Sequence, residues 1–399
     1  MRNAVVALCV LLAAGGAQGA ASARNDILDL AAGAMILTST SEYGGGWTPL
    51  NLLDGSTESG WCSEANKAVP NTFVLELPQE FAIRAVAADS SGDEEAGEPG
   101  ISARLVVFLG STTSESSGFA ELASFEVPKA GRREVTLAKP VVARWLKVEV
   151  RSNWGNEQYT ELMELEAYGD PLGEPPKVDL AGVYDTNYGL MRLEQDGASV
   201  AGCYDWDGGQ LNGVLLGRVF QFEWREDSGA QVGTAVMVVS ASGAALNGVW
   251  YENGKLAGEW RGSRVVGKQP ECTVTRTGGL ASRLKESGKV VLYGITFASD
   301  SAAITPESAA TLEEVRAALA GEPELRVEVA GHTDSTNTDA YNLQLSAKRA
   351  EAVVAWLVEH GIAASRLTSK GLGEAQPVAD NRSASGRALN RRVELTVER

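Results

Sequence analysis

Histidine is almost missing from this chain: His332 and His360 are the only two among 399 residues. With one at each end of a helical segment, their spacing supports neither a histidine zinc site nor a Ser-His-Asp set. His332 is expected to hydrogen-bond at a strand end, and His360 to close a helix where a cation is favoured. A phosphate-cradling glycine loop and a nucleophile elbow are also lacking, so the chemistry expected is binding and the chain is read as a non-enzyme. Basic charge is scarce, with 35 Lys and Arg against 52 Asp and Glu and a net charge of -17. That balance argues against nucleic acid or anionic lipid as partners, because both need basic patches to neutralise phosphate. Part of the acidity sits in Asp93-Glu94-Glu95 and Glu98, read as a solvated loop. Long apolar runs are lacking too. The run Ala4–Ala14 is shorter than the ~20 residues a spanning helix needs. It follows Met1-Arg2-Asn3 and precedes Ala17-Gln18-Gly19 and Ala21-Ser22-Ala23, so residues 1–23 read as a secretory signal. Cys9 lies in that run without the small residues that precede a lipidated cysteine.

Export implies an oxidising compartment, where Cys62, Cys203 and Cys272 leave an odd thiol. Cys203 and Cys272 bracket the middle of the chain, and a bridge between them closes a long loop worth about 4 kcal/mol in the chain-entropy model. That pairing is expected in preference to any with Cys62.

The length exceeds what one hydrophobic core usually organises, and two composition breaks, Asp170–Pro176 and Gly267–Lys289, read as linkers. Between 27 and 169, segments such as Phe73-Val74-Leu75-Glu76-Leu77 and Trp145-Leu146-Lys147-Val148-Glu149-Val150 alternate at period two, which predicts an antiparallel β-sandwich. From 178 to 272 an internal echo appears. Leu211-Asn212-Gly213-Val214 leading to Glu223-Trp224 recurs as Leu246-Asn247-Gly248-Val249 leading to Glu259-Trp260. This predicts an all-β module, either packed meanders or a small barrel, too short for eight membrane-spanning strands of ~10 residues.

From 289 to 399 the period changes. Val290–Phe297 reads as a strand, and Thr305-Pro306-Glu307 opens a helix carrying Leu312, Val315 and Leu319. Leu325, Val327 and Val329 alternate as a strand, a longer helix carries Ala350, Val353, Val354 and Leu357, and Val393, Leu395 and Val397 form a closing strand. The class is multidomain β and α+β, with both C-terminal helices able to cover one face of a sheet.

The strand at Leu325–Ala330 runs into Gly331-His332-Thr333-Asp334, placing a carboxylate on a loop at a rigid strand end. Arg349 borders the buried stripe of the longer helix, about 40° from Val353. Such a carboxylate and guanidinium hold a zwitterion, the first taking the ammonium and the second the carboxylate in a fork. A D-centre bearing both groups is what diaminopimelate offers in Gram-negative peptidoglycan stems. Two such contacts support about 3–6 kcal/mol before ordering costs.

The motifs Gly331-His332-Thr333-Asp334, Asn342–Ala350, Gly371-Leu372-Gly373-Glu374 and Asn390-Arg391-Arg392-Val393-Glu394-Leu395 together resemble the OmpA-like peptidoglycan-binding domain. By that resemblance Asp334 and Arg349 grip diaminopimelate, Thr333 and Asn342 line the same pocket, and one of Arg391 or Arg392 lies beside it. Leu50-Asn51-Leu52-Leu53-Asp54-Gly55 through Trp61, with Glu161–Gly169, resembles the discoidin or coagulation-factor C-type family of galactose-binding-like jelly rolls. That resemblance implies a structural Ca²⁺ at Asp54, Ser59 and Glu164, with Ser59 standing where Thr is more usual, and a glycan or envelope protein as partner. Asp54-Gly55 also reads as a simple turn. Trp47, Trp61 and Trp154 are candidate stacking platforms, although a Trp in a small β-domain is more often core.

The expectation is an exported protein of the periplasm or outer membrane of a Gram-negative bacterium, anchored to peptidoglycan. A wall-associated hydrolase, which needs a carboxylate pair that nothing here singles out, and a scaffold for envelope partners are the alternatives.

Overall fold

Eight strands come from the first alternating region: β1 (Met35–Ser39), β2 (Trp61–Cys62), β3 (Asn71–Asp89), β4 (Ala103–Ser111), β5 (Ala120–Glu126), β6 (Arg132–Asn153), β7 (Glu161–Leu162) and β8 (Glu164–Leu172). The computed structural model describes residues 26–91, 98–226, 231–275, 279–298 and 300–398; the expected signal 1–23 and the run Asp93-Glu94-Glu95 lie outside them. The main sheet runs β1-β3-β6-β4-β5, with β8 also on β3, and β2 pairs β7. Strand β3 meets β1 through Phe73–Glu76 and β8 through Glu80–Asp89, with its register against β6 shifting between Glu76 and Phe81. A bulge there bends one strand across both layers of the sandwich, and Phe73, Leu75, Leu77 and Ile83 fill the core. Trp61 packs edge-on against Phe73 at 4.9 Å and is wholly buried. The first expected linker starts later than its composition suggests. Asp170, Pro171 and Leu172 pair with Ala82, Phe81 and Glu80, because on an edge strand the N–H that Pro lacks costs no ladder bond.

The middle region is a closed barrel of β9 (Gly182–Thr186), β10 (Gly189–Asp196), β11 (Ser199–Tyr204), β12 (Gly209–Leu216), β13 (Val219–Arg225), β14 (Val232–Val239), β15 (Ala245–Glu252) and β16 (Lys255–Val265), each pairing the next and β16 returning to β9. The internal echo is one hairpin used twice, β12–β13 and β15–β16. Inward positions are apolar, with Leu193, Phe222, Met237 and Leu246 in one interior cluster, the reverse of the polarity a membrane barrel needs. A disulfide joins Cys203 to Cys272, with Cα atoms 6.0 Å apart. It holds the following segment against β11, where Asp205 accepts from the Glu271 N–H at 2.7 Å.

The C-terminal region holds α1 (Leu280–Ser287), β17 (Lys289–Leu292), α2 (Ala309–Gly321), β18 (Val327–His332), α3 (Asp339–Glu359), β19 (Leu367–Gly373), α4 (Ala384–Asn390) and β20 (Val393–Val397). Its sheet order is β17-β20-β18-β19, with β18 and β19 parallel across the α3 crossover. Helix α1 falls inside the second expected linker. Its Leu280 and Leu284 are four apart and buried in the same core as Val315, Val353 and Leu395, and left-handed Gly288 ends it. Two apolar residues in a polar stretch are too few to reveal a helix by periodicity.

Barrel and sandwich meet at a buried charge. Glu76 accepts from Arg218 Nη2 at 2.6 Å, from Arg144 Nη2 at 3.2 Å and from the Ala241 N–H at 3.1 Å. Arg218, wholly enclosed, also donates to the carbonyls of Leu77 at 2.7 Å and Val239 at 2.6 Å. Burial, opposed by the Glu76 charge, brings its pKa down to about 10, so it stays charged at neutral pH. Removing one partner of such a group strands the other in low dielectric. Arg218→Ala is therefore expected to cost about 3–5 kcal/mol and to open the 173–177 connection to limited proteolysis; equal urea midpoints and equal cleavage rates for variant and wild type would refute this joint.

Candidate functional site

Strand β18 delivers the motif loop. The Thr333 N–H donates to the Gly373 carbonyl at 3.0 Å and the His332 N–H to that of Arg392 at 3.0 Å, fixing the strand end between β19 and the start of β20. Beyond it Asp334 accepts from the Thr336 N–H at 3.1 Å and from Arg391 Nη1 at 2.7 Å. Burial opposes the charge, but the bonds from Thr336 and Arg391 outweigh it and hold the Asp334 carboxyl below its ordinary value. Arg349, on α3, is only 8 % exposed. It lies 5.0 Å over the Phe297 ring and donates from Nε to the Ser301 carbonyl at 3.0 Å, which aims the fork while its terminal nitrogens stay available for a ligand. Burial first, and then the Arg391 charge, lower its pKa, with Asp334 acting in the opposite sense.

The two predicted groups are joined by a third: Asp334 pairs with Arg391 at 2.7 Å, and Arg349 feels the charges of both and of Asp300. Of the two arginines left open by the sequence, Arg391 bonds Asp334, whereas Arg392, which borders the same cleft, spends its guanidinium on Glu394 at 2.7 and 2.9 Å. Arg349 and Arg391 line a cleft of about 760 Å³ shared with Phe81 of the sandwich and Leu216 and Val219 of the barrel. Asp334 is not among the residues that line this cleft, so the expected hollow shared directly by Asp334 and Arg349 is replaced by one in which Asp334 is tied to the cleft through Arg391. Asn342 is buried and spends its amide on the Asp334 carbonyl at 3.0 Å, the Asn337 carbonyl at 3.3 Å and Glu374, so it builds the loop. The Thr333 hydroxyl is buried with no protein partner. Phe297, Ser301 and Thr336 were not singled out from sequence; two act through backbone or ring contacts that leave no pattern.

The second predicted set also converges. Ser59 donates to Asp54 at 2.6 Å, and the Ser56 N–H donates to both Asp54 at 2.8 Å and Glu164 at 3.2 Å. Burial pushes Asp54 up to about 7, with hydrogen bonds from Ser59 and Ser56 opposing and Asp29 adding. Glu164 is raised further by burial and by the charges of Asp54 and Asp26, and its Oε1 is buried without a partner. Among the described residues no three His, Cys, Asp or Glu side chains form a metal-type group. The donor set is two carboxylates and a hydroxyl, hard oxygen chemistry of the kind Ca²⁺ takes. Trp154 is 36 % exposed under the Arg104 guanidinium, and Trp47 is half-buried.

Residues 296–391 match the family model described as OmpA family, and residues 36–165 match the F5/8 type C domain. Residues 296–391 are an OmpA family domain. The sandwich is an F5/8 type C domain. Outer membrane porin F of Pseudomonas fluorescens is 47% identical over 104 residues, 26% of this chain and 32% of that protein. Peptidoglycan-binding protein ArfA of Mycobacterium tuberculosis is 40% identical over 103 residues, 26% of this chain and 32% of that protein. This chain thus spans about a third of the length of these curated relatives. Among solved structures, the family 32 carbohydrate-binding module of Streptococcus pneumoniae EndoD is 18% identical, covering 37% of this chain and 100% of that one at a TM-score of 0.31. No helix among the described residues is long and apolar enough to cross a membrane.

Within the OmpA family domain, Glu394 ties the site's sheet to His332, whose Nε2 is 3.1 Å away, and to Lys289 at 2.7 Å. Burial opposes its charge, yet contact with His332, Arg392 and Lys289 holds Glu394 far below its ordinary 4.5. A depressed carboxyl contributes stability that is present above the unfolded value and lost as pH falls. Glu394→Gln should cost about 3–5 kcal/mol at pH 7 and lose less stability than wild type from pH 5 to pH 3 in urea titrations. Parallel acid limbs would show that Glu394 is not the sensor.

Proposed function

We propose that this is a non-catalytic envelope protein that anchors to peptidoglycan by gripping diaminopimelate in its OmpA family domain, and presents its F5/8 type C domain to a glycan or an envelope protein. The observation that carries the reading is the Arg349 fork, aimed by Phe297 and Ser301 beside the Asp334–Arg391 pair. With Arg349 Nε spent on Ser301, its terminal nitrogens can take a ligand carboxylate in bidentate fashion. An ionised carboxylate has about four lone-pair sites, so Asp334 can accept an ammonium while keeping Arg391 and Thr336. Weak single contacts suffice because the wall is a polymer with many repeats. The relatives support an envelope location, and we place the protein in the periplasm or at the outer membrane of a Gram-negative bacterium.

In pelleting assays with purified sacculi, run well below each variant's Tm, Asp334→Ala and Arg349→Ala should each weaken binding roughly ten- to a hundredfold. Arg349→Lys should behave like the alanine variant, since charge without the fork is not enough. Wild-type pelleting by the alanine variants would sink the assignment.

In the F5/8 type C domain, Asp54, Ser59 and Glu164 hold a structural Ca²⁺, whose charge would offset the crowding of buried carboxylates. Ca²⁺ at a hundredfold excess over its Kd should stabilise the protein by about 2.7 kcal/mol, read as a rise in Tm that Glu164→Gln abolishes. An unchanged Tm in wild type would remove the metal from the account.

A further inference from the structure

The barrel is plugged at one end and hollow at the other. Met191, Leu193, Leu215, Phe220 and Met237 pack its interior. Toward the β9–β10, β11–β12 and β15–β16 hairpins the inward side chains become aromatic, and Tyr188, Tyr204, Trp224, Trp250 and Trp260 surround a cup of about 200 Å³. The rings meet edge to face. Trp250 lies 5.8 Å from Tyr188 at 88° and 5.4 Å from Trp224 at 80°, while Tyr188 and Trp260 are 5.3 Å apart. This arrangement stands the rings as facets around a space instead of stacking them into it.

The backbone is cut away to seat these rings. A Cβ at Gly209 would come within 2.0 Å of the Tyr204 ring, and one at Gly233 within 2.5 Å of the Trp224 ring. Glycine in strand interiors weakens them, and such a position marks a close approach. Two strands therefore give up packing so that aromatic rings lie flat against the barrel wall.

The cup also carries polar groups of both kinds. The Trp250 indole N–H donates to the Tyr188 hydroxyl at 2.9 Å. The indole nitrogens of Trp224 and Trp260 are enclosed in the wall, out of reach from the cup, while the Gln231 amide lines it and offers both a donor and an acceptor. Glu226, which accepts from the Tyr204 hydroxyl at 3.2 Å, and Glu252 stand at the rim as acceptors. Trp206, 59 % exposed, extends the rim outward 6.4 Å from Tyr188.

We infer that this cup is a binding site for a single saccharide ring. A sugar offers apolar C–H faces to the rings, oxygens to the Gln231 amide and hydroxyl hydrogens to Glu226 and Glu252. A purely apolar ligand would leave the carboxylates and the Gln231 amide unmatched. An alkylammonium ion would satisfy the rings and carboxylates but bring no acceptor for the Gln231 amide. The space, equal to roughly six or seven waters at about 30 Å³ each, holds one pyranose and not a chain.

The test titrates the full mature protein separately with glucose, galactose, mannose, rhamnose and N-acetylglucosamine, and with tetramethylammonium, following tryptophan emission and heat. At least one sugar should bind saturably, and Trp250→Ala should weaken it roughly tenfold or more. Because Trp250 is half-buried, Trp206→Ala and Glu252→Gln at the rim serve as variants with wild-type Tm, and each should weaken the same sugar. No response to any of the sugars, or saturation by tetramethylammonium alone, overturns the proposal. So does sugar binding that survives all three substitutions, which would belong to the F5/8 type C domain; sacculus pelleting through Asp334 and Arg349 is scored independently of every outcome.

Discussion

A carboxylate taken out of water has to be met by cations and donors, and Glu76 is met by Arg218, Arg144 and a backbone N–H at the seam of two domains. Arg218 reaches it only because the turn between β12 and β13 carries the guanidinium into the sandwich, where it also takes the Leu77 carbonyl. The barrel's outward Val236, Val238, Val249 and Tyr251 then share one apolar cluster with the sandwich and with Tyr293 and Leu389 of the OmpA family domain. Buried charge of this kind adds little net stability over an apolar seam, but it is unforgiving of misplacement. Its consequence here is a defined juxtaposition, in which barrel and sandwich wall the cleft where Arg349 and Arg391 emerge.

The two candidate binding regions are physically continuous. The Ala384 N–H at the start of α4 donates to the Asp54 carbonyl, and the Tyr251 hydroxyl of the barrel meets Ser383 at 2.7 Å. Helix α4 therefore sits on the Asp54 loop at one end and leads into Arg391 at the other. Asp29 of the sandwich feels the charges of both Arg387 and Arg391. Carboxylates crowded in the F5/8 type C domain and guanidinia presented by the OmpA family domain thus belong to one electrostatic neighbourhood.

Much of this was legible because it is local. The strands Leu75–Leu77 and Val393–Val397 alternate, the helix bearing Ala350, Val353 and Leu357 has its stripe, and the loop after β18 places Asp334 at a strand end. What escaped had a weak or absent local signature. Helix α1 shows only Leu280 and Leu284, and β19 is a glycine-broken strand, its Gly371 lying against the backbone of Ala347 on α3. The choice between Arg391 and Arg392 was not readable either, since the two are neighbours that both border the cleft and only the fold sets Arg391 on Asp334 and Arg392 on Glu394. The aromatic cup draws on residues from Tyr188 to Trp260, and nothing in their spacing says that the barrel closes around them.

By itself the sequence determined which segments alternate and which wind, the scarcity of histidine and basic charge, and the motifs that place an OmpA family domain after an F5/8 type C domain, because all of these are properties of residues within a few positions of each other. Tertiary structure alone decided that Asp334 pairs with Arg391, that Glu76 meets Arg218 from another domain, and that five aromatic rings surround a hollow. Those depend on where distant segments of the chain meet, and the forces that act there, burial and charge at close range, exist only once the chain has closed on itself.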